Sequence, residues 1–359
     1  MSRNSKIIRP FDHTFKIMHH PDQLKKLLDG GRPFPIHLEV DLTNVCNHSC
    51  YFCNCADTLA SDNSILQYEI LLNRLEEGYE MGARGISFTG GGEPVMHPKF
   101  AEICKKAKSI GYDLGLITNG SLIRKEKLRA IADNFNWVRI SLGGVTQETY
   151  LKVQGKDDFQ KVLKNVFLLK EESNKKRKLN LGLKIMLVEK NIEHCDKLIQ
   201  GIQENNLTCE HLDYIQFIPD QFTNDGGAFV RSDLVRNTME NLRKNLEQLN
   251  IPLYGAYFSV KEEERDLSFS SKCYAHFYQI AIAANGDMTF CKNCRDTKSL
   301  IVGNIYQSTL SEIWGSNHLK NLENKINANN CNTFCKSLKI NNLIHAIKNP
   351  DEDYSQNFF

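Results

Sequence analysis

The sequence lacks long apolar runs, a marked charge imbalance and a targeting segment. Among its 359 residues no stretch of roughly 18 apolar residues occurs, so no membrane-spanning helix is expected. A formal net charge of +2 gives no strong attraction to nucleic acid or to anionic membranes. The N-terminal residues MSRNSKIIRPFDHTF lack the apolar core and cleavage site of a signal peptide. We therefore expect a cytoplasmic protein without nucleic-acid or membrane partners.

Cysteine, by contrast, is abundant and unevenly distributed. The chain has 12 cysteines, of which four lie within 46–55 and five within 273–335. Structural disulfides are rare in a reducing cytoplasm, so the two groups predict metal sites. The three scattered residues Cys104, Cys195 and Cys209 are interpreted as small buried hydrophobic side chains.

Strand-like and helix-like segments alternate through the first two thirds of the chain. Candidate strands cover 36–42, 85–89, 112–118, 137–142, 181–188 and 214–219. Helical periodicity covers 65–81, 100–110, 125–134, 159–172 and 192–204. This alternation predicts parallel strands with right-handed crossovers. Six such units cannot close an eightfold barrel, so we predict an α/β fold, a partial (β/α)6 parallel barrel with its functional groups at the C-terminal strand ends.

The pattern changes after the sixth strand. A further helix is predicted over 234–250, and the run FYQIAIAANGDMTFC predicts a hairpin around Asn285 and Gly286. A short helix follows in STLSEIW, and SLKINNLIHAIK predicts a last one. We divide the chain into a lead-in with a short helix, the barrel with its following helix, a small α+β domain, and a C-terminal helix with tail. These parts cover 1–35, 36–250, 251–337 and 338–359.

The first cysteine group directly follows the first strand. Cys46, Cys50 and Cys53 have the spacing C-x3-C-x2-C, and three thiolates suit a cubane iron–sulfur cluster that keeps one iron open. Structural zinc usually takes four protein ligands, so a zinc site that also uses Cys55 is the alternative. Because the cluster needs only three sulfurs, Cys55 is interpreted as a bystander.

The second motif, TGGGEP, ends the second strand. Gly90, Gly91 and Gly92 allow the backbone to approach a ligand closely, and Glu93 can accept a hydrogen bond from an ammonium group. Taken alone, such a glycine run favours a tight strand-to-helix turn. Its position one strand along from the open-iron loop favours a ligand site.

CNHSCYFC and TGGGEP on successive units resemble the radical S-adenosylmethionine (SAM) superfamily over about residues 36–220. The resemblance implies a [4Fe-4S] cluster on the three cysteines and SAM on its open iron. It also implies a site for the methionyl amine of SAM, formed by Gly90, Gly91, Gly92 and Glu93. By the same resemblance, Phe52 contacts adenine through its backbone, and Ser141 contacts the ribose or the carboxylate of SAM. Many relatives have a carboxylate where this chain has Gly143, so no role is assigned there.

The second cysteine group resembles the SPASM/Twitch extension of the same superfamily, with GNI and S-x-x-EIW before a closing cysteine pair. Five cysteines are enough for one auxiliary [4Fe-4S] cluster. Its predicted ligands are Cys273, Cys291, Cys331 and Cys335, and Cys294 could replace one of them. A zinc knuckle is the alternative, since four thiolates suit either metal. A fully ligated cluster favours electron transfer and hence an oxidation, although epimerisation also occurs among such enzymes.

Charged residues on the strands indicate a polar barrel interior. By strand alternation Arg139 shares the face of Ser141, while Lys184, Gln216, Glu39 and Asp41 interrupt apolar runs. Helices cover the outside of a parallel barrel, so these side chains are expected to face the interior. Lys184, Arg139 and Glu39 are the predicted catalytic or substrate-binding residues. The alternative is that they form ion pairs that fill the barrel floor.

Mixed charges favour a small polar substrate, such as a sugar, an aminocyclitol or a nucleotide-linked compound. A ribosomal peptide is the alternative; only 35 residues precede the first strand, and from this we expect no leader-peptide domain. A flavodoxin- or ferredoxin-type protein is the expected electron donor. A non-catalytic iron–sulfur or zinc protein is a candidate of another class, but such a protein has no need of the TGGGEP amine site.

Overall fold

The structure is a computed structural model that describes residues 16–175, 179–219, 232–255, 271–292, 297–328, 335 and 337–349. Within these ranges no helix combines the length and apolar character needed to cross a membrane.

One mixed sheet organises the described residues. Its strands are β1 (His37–Asp41), β2 (Gly85–Thr89), β3 (Asp113–Thr118), β4 (Phe135–Ser141), β5 (Asn180–Leu187), β6 (Tyr214–Pro219), β7 (Leu253–Gly255), β8 (Gln279–Ile282), β9 (Asp287–Thr289) and β10 (Ile301–Asn304). The strand order is β10-β9-β8-β1-β2-β3-β4-β5-β6-β7. All pairs from β8 to β7 are parallel, and the pairs β8–β9 and β9–β10 are antiparallel.

Helices connect the parallel strands and cover one face of the sheet. They are α1 (Pro21–Leu28), α2 (Ala56–Ser61), α3 (Tyr68–Met81), α4 (Phe100–Ile110), α5 (Lys125–Asn134), α6 (Gln147–Gln154), α7 (Phe159–Asn174), α8 (Glu189–Ile192), α9 (Leu198–Glu204), α10 (Ser232–Gln248), α11 (Leu310–Gly315), α12 (Asn317–Lys325) and α13 (Leu338–Lys348). The predicted α/β class with a parallel sheet is confirmed.

Strand alternation separates a helix-covered face from an inner face. On β1, Leu38 and Val40 are fully buried, while Glu39 between them retains partial exposure. On β5, Leu183 and Ile185 are fully buried, and Lys184 between them is partly exposed. Successive strand residues point to opposite faces, so the apolar set packs against the helices and the charged set lines the barrel interior.

The predicted hairpin forms at Gly286, whose φ of +87° is readily adopted by glycine. Its first strand, however, pairs in parallel with β1 over His37↔Gln279 to Val40↔Ile282. The hairpin therefore extends the barrel sheet. The strand β7, within the range assigned to the small α+β domain, likewise pairs with β6.

The single helix predicted over 192–204 is wrong. Helix α8 ends at Ile192 and α9 begins at Leu198, with a 3-10 turn between them. The fully buried Asn191 of α8 donates its side-chain amide to the carbonyls of Gly143 and Met186, both at 2.6 Å. These bonds hold the start of this segment against the end of β4.

Side chains from both parts of the chain hold the C-terminal segment on the barrel. Glu77 of α3 accepts hydrogen bonds from the first backbone N–H groups of α11, at Leu310 (3.0 Å) and Ser311 (2.8 Å). A carboxylate at a helix N-terminus satisfies otherwise unpaired donors and interacts favourably with the helix dipole. Glu323 of α12 pairs with Arg32 and with the buried His276.

Candidate active site

The loop that carries the first cysteine group follows β1 and is anchored on the C-terminal end of α6. The backbone N–H of Tyr51 donates to the Val153 carbonyl at 2.8 Å, and that of Ser49 donates to the Gln154 carbonyl at 3.3 Å. Gly155 ends α6 with φ +65°, and a Cβ atom there would lie 2.2 Å from Ser49 Oγ. A glycine at this position therefore lets the cysteine loop and the helix end meet.

Gln154 joins three parts of this site through one buried amide. Its Nε2 donates to the Ser141 carbonyl at 2.7 Å, and its Oε1 lies 3.3 Å from Cys50 Sγ. The same oxygen lies 3.1 Å from His48 Nδ1, and the residue is fully buried. Gln154 was not predicted as a site residue, because a lone glutamine at the end of a short helix belongs to no sequence motif.

The three predicted cluster ligands lie together. Burial, followed by the neighbouring Cys46 and Cys53, raises the pKa of Cys50 to about 12, and burial also raises the pKa of Cys46. Thiols packed in this way do not ionise readily unless a cationic centre compensates the charge. This donor set fits an iron–sulfur cluster, which is held by cysteine thiolates.

The alternative zinc site in this loop requires Cys55 as its fourth ligand. Cys55 is buried at 4% exposure, begins α2, and donates its thiol to Asn54 Oδ1 at 3.6 Å. Its role as a bystander stays a prediction.

The glycine segment packs directly against the cysteine loop. The backbone N–H of Gly92 donates to the Thr43 carbonyl, and that of Glu93 to the Val45 carbonyl, both at 2.9 Å. A Cβ atom on Gly92 would lie 2.2 Å from the Val45 carbonyl oxygen. Side chains are thus excluded by the close approach of the two loops, which puts the predicted amine site beside the predicted cluster.

Three hydrogen bonds hold the side chain of Glu93 in place. Its carboxylate accepts hydrogen bonds from Thr118 Oγ1 at 2.5 Å, Asn119 N at 2.7 Å and Val95 N at 3.2 Å. Burial raises its pKa, and these donors partly oppose that shift. Glu93 therefore ties the glycine segment to the end of β3, and its contact with an ammonium group stays a prediction.

The segment after β3 adds polar residues that the sequence analysis did not identify. Asn119 Nδ2 donates to Asn47 Oδ1, and Asn47 Nδ2 donates to Ser121 Oγ, each at 2.9 Å. Asn47 lies between the first two cysteines, so this pair fixes the cysteine loop to a third strand end. The available signal was the turn sequence TNGS at the C-terminal end of a predicted strand.

A side chain at Gly143 would collide with the residues packed around it. A Cβ atom there would lie 2.7 Å from Gln154 Cγ and 3.1 Å from Phe52 Cε1. The ring of Phe52, the predicted adenine contact, thus lies next to the end of β4. Ser141, the predicted ribose or carboxylate contact, ends that strand and is partly exposed.

The second cysteine group comes together around Tyr278. Burial first, and then the nearby Cys273, Cys335 and Cys291, raise the pKa of its phenol, which donates to the Ser337 carbonyl at 3.3 Å. Burial, together with neighbouring Cys291, raises the pKa of Cys335. Three predicted auxiliary ligands therefore lie in one neighbourhood. The fourth, Cys331, and its alternative, Cys294, lie outside the described residues.

The charged residues predicted to line the barrel do face its interior. Arg139 Nη1 donates to Gln216 Oε1 at 3.4 Å, and its guanidinium lies 4.7 Å from the centre of the Trp137 ring. In the sheet, Lys184 of β5 lies opposite Ser141 of β4 on one side and opposite Gln216 of β6 on the other. Burial, followed by the charge of Arg139, lowers the pKa of Lys184 to about 8.

Glu39 links the barrel interior to the C-terminal segment. Its Oε2 accepts a hydrogen bond from Gln279 Nε2 at 3.0 Å and lies 3.5 Å from Lys292 Nζ. Lys292 directly follows Cys291, a predicted auxiliary ligand. The barrel interior and the second cysteine group are therefore adjacent, a relation that neither motif predicts. The catalytic roles of Lys184, Arg139 and Glu39 stay predictions.

Two family models match the chain. Residues 40–200 match the model of the radical SAM superfamily, and residues 273–337 match that of SPASM, an iron–sulfur cluster-binding domain. The first match contains the cysteine loop, the glycine segment and Ser141, and the second begins at Cys273.

Curated relatives match part of the chain. A probable GTP 3′,8-cyclase of Saccharolobus islandicus is 31% identical over 137 residues, which is 38% of this chain and 44% of that protein. A probable GTP 3′,8-cyclase of Sulfurisphaera tokodaii is 29% identical over 176 residues, 49% of this chain and 54% of the relative. The match thus spans about half the length of these relatives.

Solved structures share the fold at low sequence identity. SuiB of Streptococcus suis bound to the precursor peptide SuiA has a TM-score of 0.65 and 16% identity, covering 95% of this chain and 79% of that one. The enzyme anSMEcpe with bound S-adenosylmethionine (AdoMet) and a peptide has a TM-score of 0.60 and 19% identity, covering 84% and 88%. At these identities the likeness concerns the fold alone.

Proposed function

Because the chain belongs to the radical SAM superfamily and carries a C-terminal SPASM domain, we propose that it uses SAM to abstract a hydrogen atom from a small polar substrate. The two domains imply a SAM-binding [4Fe-4S] cluster, SAM and auxiliary iron–sulfur ligation. When bound, the first cluster supplies the electron that cleaves SAM to methionine and a 5′-deoxyadenosyl radical. Cys46, Cys50 and Cys53 would hold that cluster.

The chain's own residues then bind and orient the cofactor. In this proposal Gly90, Gly91 and Gly92 leave the backbone open to the methionyl amine, with Glu93 beside it. Phe52 contacts adenine through its backbone, and Ser141 contacts the ribose or carboxylate. The buried Gln154 supports this arrangement, because its amide fixes the Ser141 carbonyl and lies against Cys50.

The auxiliary site has a separate role in the proposal. Cys273, Cys291, Cys335 and one further cysteine would hold a cluster that relays an electron, so the reaction would end in oxidation or epimerisation. The contact of Lys292 with Glu39 supports this assignment, because it joins the segment of Cys291 to the barrel interior. A flavodoxin- or ferredoxin-type protein in the cytoplasm would reduce the first cluster.

A nucleotide-linked compound is the form of small substrate that the relatives favour. The proteins named GTP 3′,8-cyclase match 137 and 176 residues of this chain. A peptide is the alternative substrate, and the fold shared with the peptide-bound SuiB is compatible with it. Since only part of the relatives' length is covered, the substrate is a proposal for this chain.

The observation that carries the proposed function is the packing of three thiols against the glycine segment in one site. Anaerobic reconstitution of the full chain with iron and sulfide tests it. We expect about eight irons per chain, as two cubane clusters require, and 5′-deoxyadenosine formed from SAM under reductant. Tightly bound zinc without SAM cleavage would contradict the proposal.

A further inference from the structure

We propose that the barrel interior is a phosphate-binding site, centred on Lys184 and Arg139, that holds the anionic group of a phosphorylated substrate. This inference rests on the proposed function and narrows its substrate to a class. It derives from the charges that the two cysteine-bearing regions bring together inside the barrel.

Lys184 and Arg139 lie on the interior face of neighbouring strands, with Arg139 two residues before Ser141, which lies opposite Lys184. Arg139, Glu39 and Lys292 all act electrostatically on Lys184, so these side chains lie near one another. Glu39 accepts a hydrogen bond from Gln279 and lies 3.5 Å from Lys292, on the side of the C-terminal segment. Lys184 and Arg139 therefore place positive charge together inside the barrel.

The ammonium group of Lys184 is the centre of the proposed site. Among the residues that the structure describes, no carboxylate lies within ion-pair distance of its ammonium group. The side chain is enclosed by the barrel yet partly exposed, because it borders the open interior. An enclosed cation without an anionic neighbour in contact is costly, and an arriving anion would remove that cost.

The floor of the barrel is closed beneath these cations. A Cβ atom on Gly115 would lie 2.0 Å from the Trp137 ring, and one on Gly182 would lie 2.2 Å from the Tyr214 ring. The two glycines thus make room for aromatic rings inside the barrel. Arg139 lies over the Trp137 ring. The cationic side chains therefore stand between an aromatic floor and the cofactor end of the strands.

The chemistry of these groups suits phosphate. The guanidinium of arginine matches phosphate oxygens with paired N–H donors, and lysine adds a point charge. A phosphate monoester carries a charge of about −1.5 to −2 at pH 7, so it can interact with both cations. A neutral sugar would offer them no counter-charge.

A competing occupant is the carboxylate of SAM, because Lys184 lies in register with Ser141. That carboxylate carries one negative charge, less than a phosphate monoester carries at pH 7. The test must therefore follow SAM and phosphate binding separately.

The experiment uses the full chain, reconstituted anaerobically and saturated with SAM. Inorganic pyrophosphate is the probe in isothermal titration, and succinate is the carboxylate control. Lys184→Met removes the charge, and Lys184→Arg keeps it. Lys106→Met is the matched control, since Lys106 is a partly exposed residue of α4 paired with Glu76. SAM affinity and 5′-deoxyadenosine formation are measured on the same preparations.

We expect pyrophosphate to bind the wild type about tenfold more tightly than succinate does, and about tenfold more weakly to Lys184→Met. Lys184→Arg and Lys106→Met should retain wild-type binding. The inference is overturned if pyrophosphate does not bind, binds no better than succinate, or binds Lys184→Met normally. It is also overturned if Lys184→Met weakens SAM binding alone. Absence of 5′-deoxyadenosine would instead defeat the proposed function, because pyrophosphate binding can be read without it.

Discussion

The two cysteine-bearing regions are built in different ways. In the first, Cys46, Cys50 and Cys53 lie in one loop after β1, and neighbouring strand ends hold that loop. In the second, Cys273, Cys291 and Cys335 come from separate segments that meet around Tyr278. In the first region the predicted ligands are close together in the sequence. In the second region the fold brings together cysteines that are far apart in the sequence.

This difference has a functional counterpart. The loop faces the glycine segment and Ser141, where a cofactor could reach an open iron. The second region faces Glu39 through Lys292, on the opposite side of the barrel interior from β4. We infer that the first region activates the cofactor, that the second exchanges electrons, and that the substrate lies between them.

The largest expected effect comes from separating ligand and bystander within the loop. Cys53→Ala should abolish 5′-deoxyadenosine formation and lower the iron content by about four per chain, because a cubane cluster would lose one of three thiolates. Cys55→Ala is the matched control and should retain both. Both quantities are measured, by iron analysis and by product chromatography. Equal losses in the two variants would show that Cys53 and Cys55 do not differ in role.

The second region gives the next effect. Cys335→Ala should also lower iron content by about four per chain, while the signal of the SAM-binding cluster persists in electron paramagnetic resonance (EPR) spectra. Cys209→Ala removes a half-buried thiol elsewhere and should change neither quantity. An unchanged iron content in Cys335→Ala would remove Cys335 from the auxiliary ligand set.

A smaller effect is expected from Gln154, which supports the first region. Gln154→Leu leaves the Ser141 carbonyl without its donor, so the free energy of unfolding should fall by about 1–3 kcal/mol. SAM cleavage should fall about tenfold, as for residues that orient metal ligands. The EPR g values of the reduced cluster should shift, which a purely structural role would not cause. Gln200→Leu on α9 is the control, and identical spectra for both variants would contradict the positioning role.

The last prediction concerns the pH dependence of stability and Lys184, which lies between the two regions. Its pKa is lowered to about 8 from 10.5, so the unfolded chain keeps this proton over a pH range in which the folded chain has released it. The free energy of unfolding should therefore rise with pH between these two values. Below pH 8 the folded chain bears the full cost of burying a charged ammonium group. Urea unfolding of wild type against Lys184→Met measures the difference. A flat or falling difference over this window would contradict the lowered pKa.

Much of the barrel was predictable because its local patterns agree with its tertiary environment. The bounds predicted for β2, β6, α4 and α5 match the structure at both ends. Gly90 directly follows β2 and Gly111 directly follows α4, so glycines mark the ends of these two elements in the sequence. The spacing C-x3-C-x2-C likewise predicted a compact ligand loop.

The remaining features depend on contacts that a linear pattern does not contain. Helix α6 has only two turns and follows Gly143 and Gly144, so its sequence reads as a loop. A Cβ atom on Gly144 would lie 2.0 Å from Tyr150 N, which shows how closely the helix packs there. The pairing of β8 with β1 joins residues about 240 positions apart, and thus the position of Lys292 beside Glu39 could not be inferred.

The most direct test of this division of roles is 5′-deoxyadenosine formation by the double variant Cys291→Ala/Cys335→Ala. The protein would be reconstituted anaerobically, reduced chemically and supplied with SAM without substrate. We predict a rate within about twofold of wild type, since the loop cluster keeps all three thiolates. A loss as complete as that of Cys53→Ala would contradict the account, because cofactor cleavage would then depend on the second region.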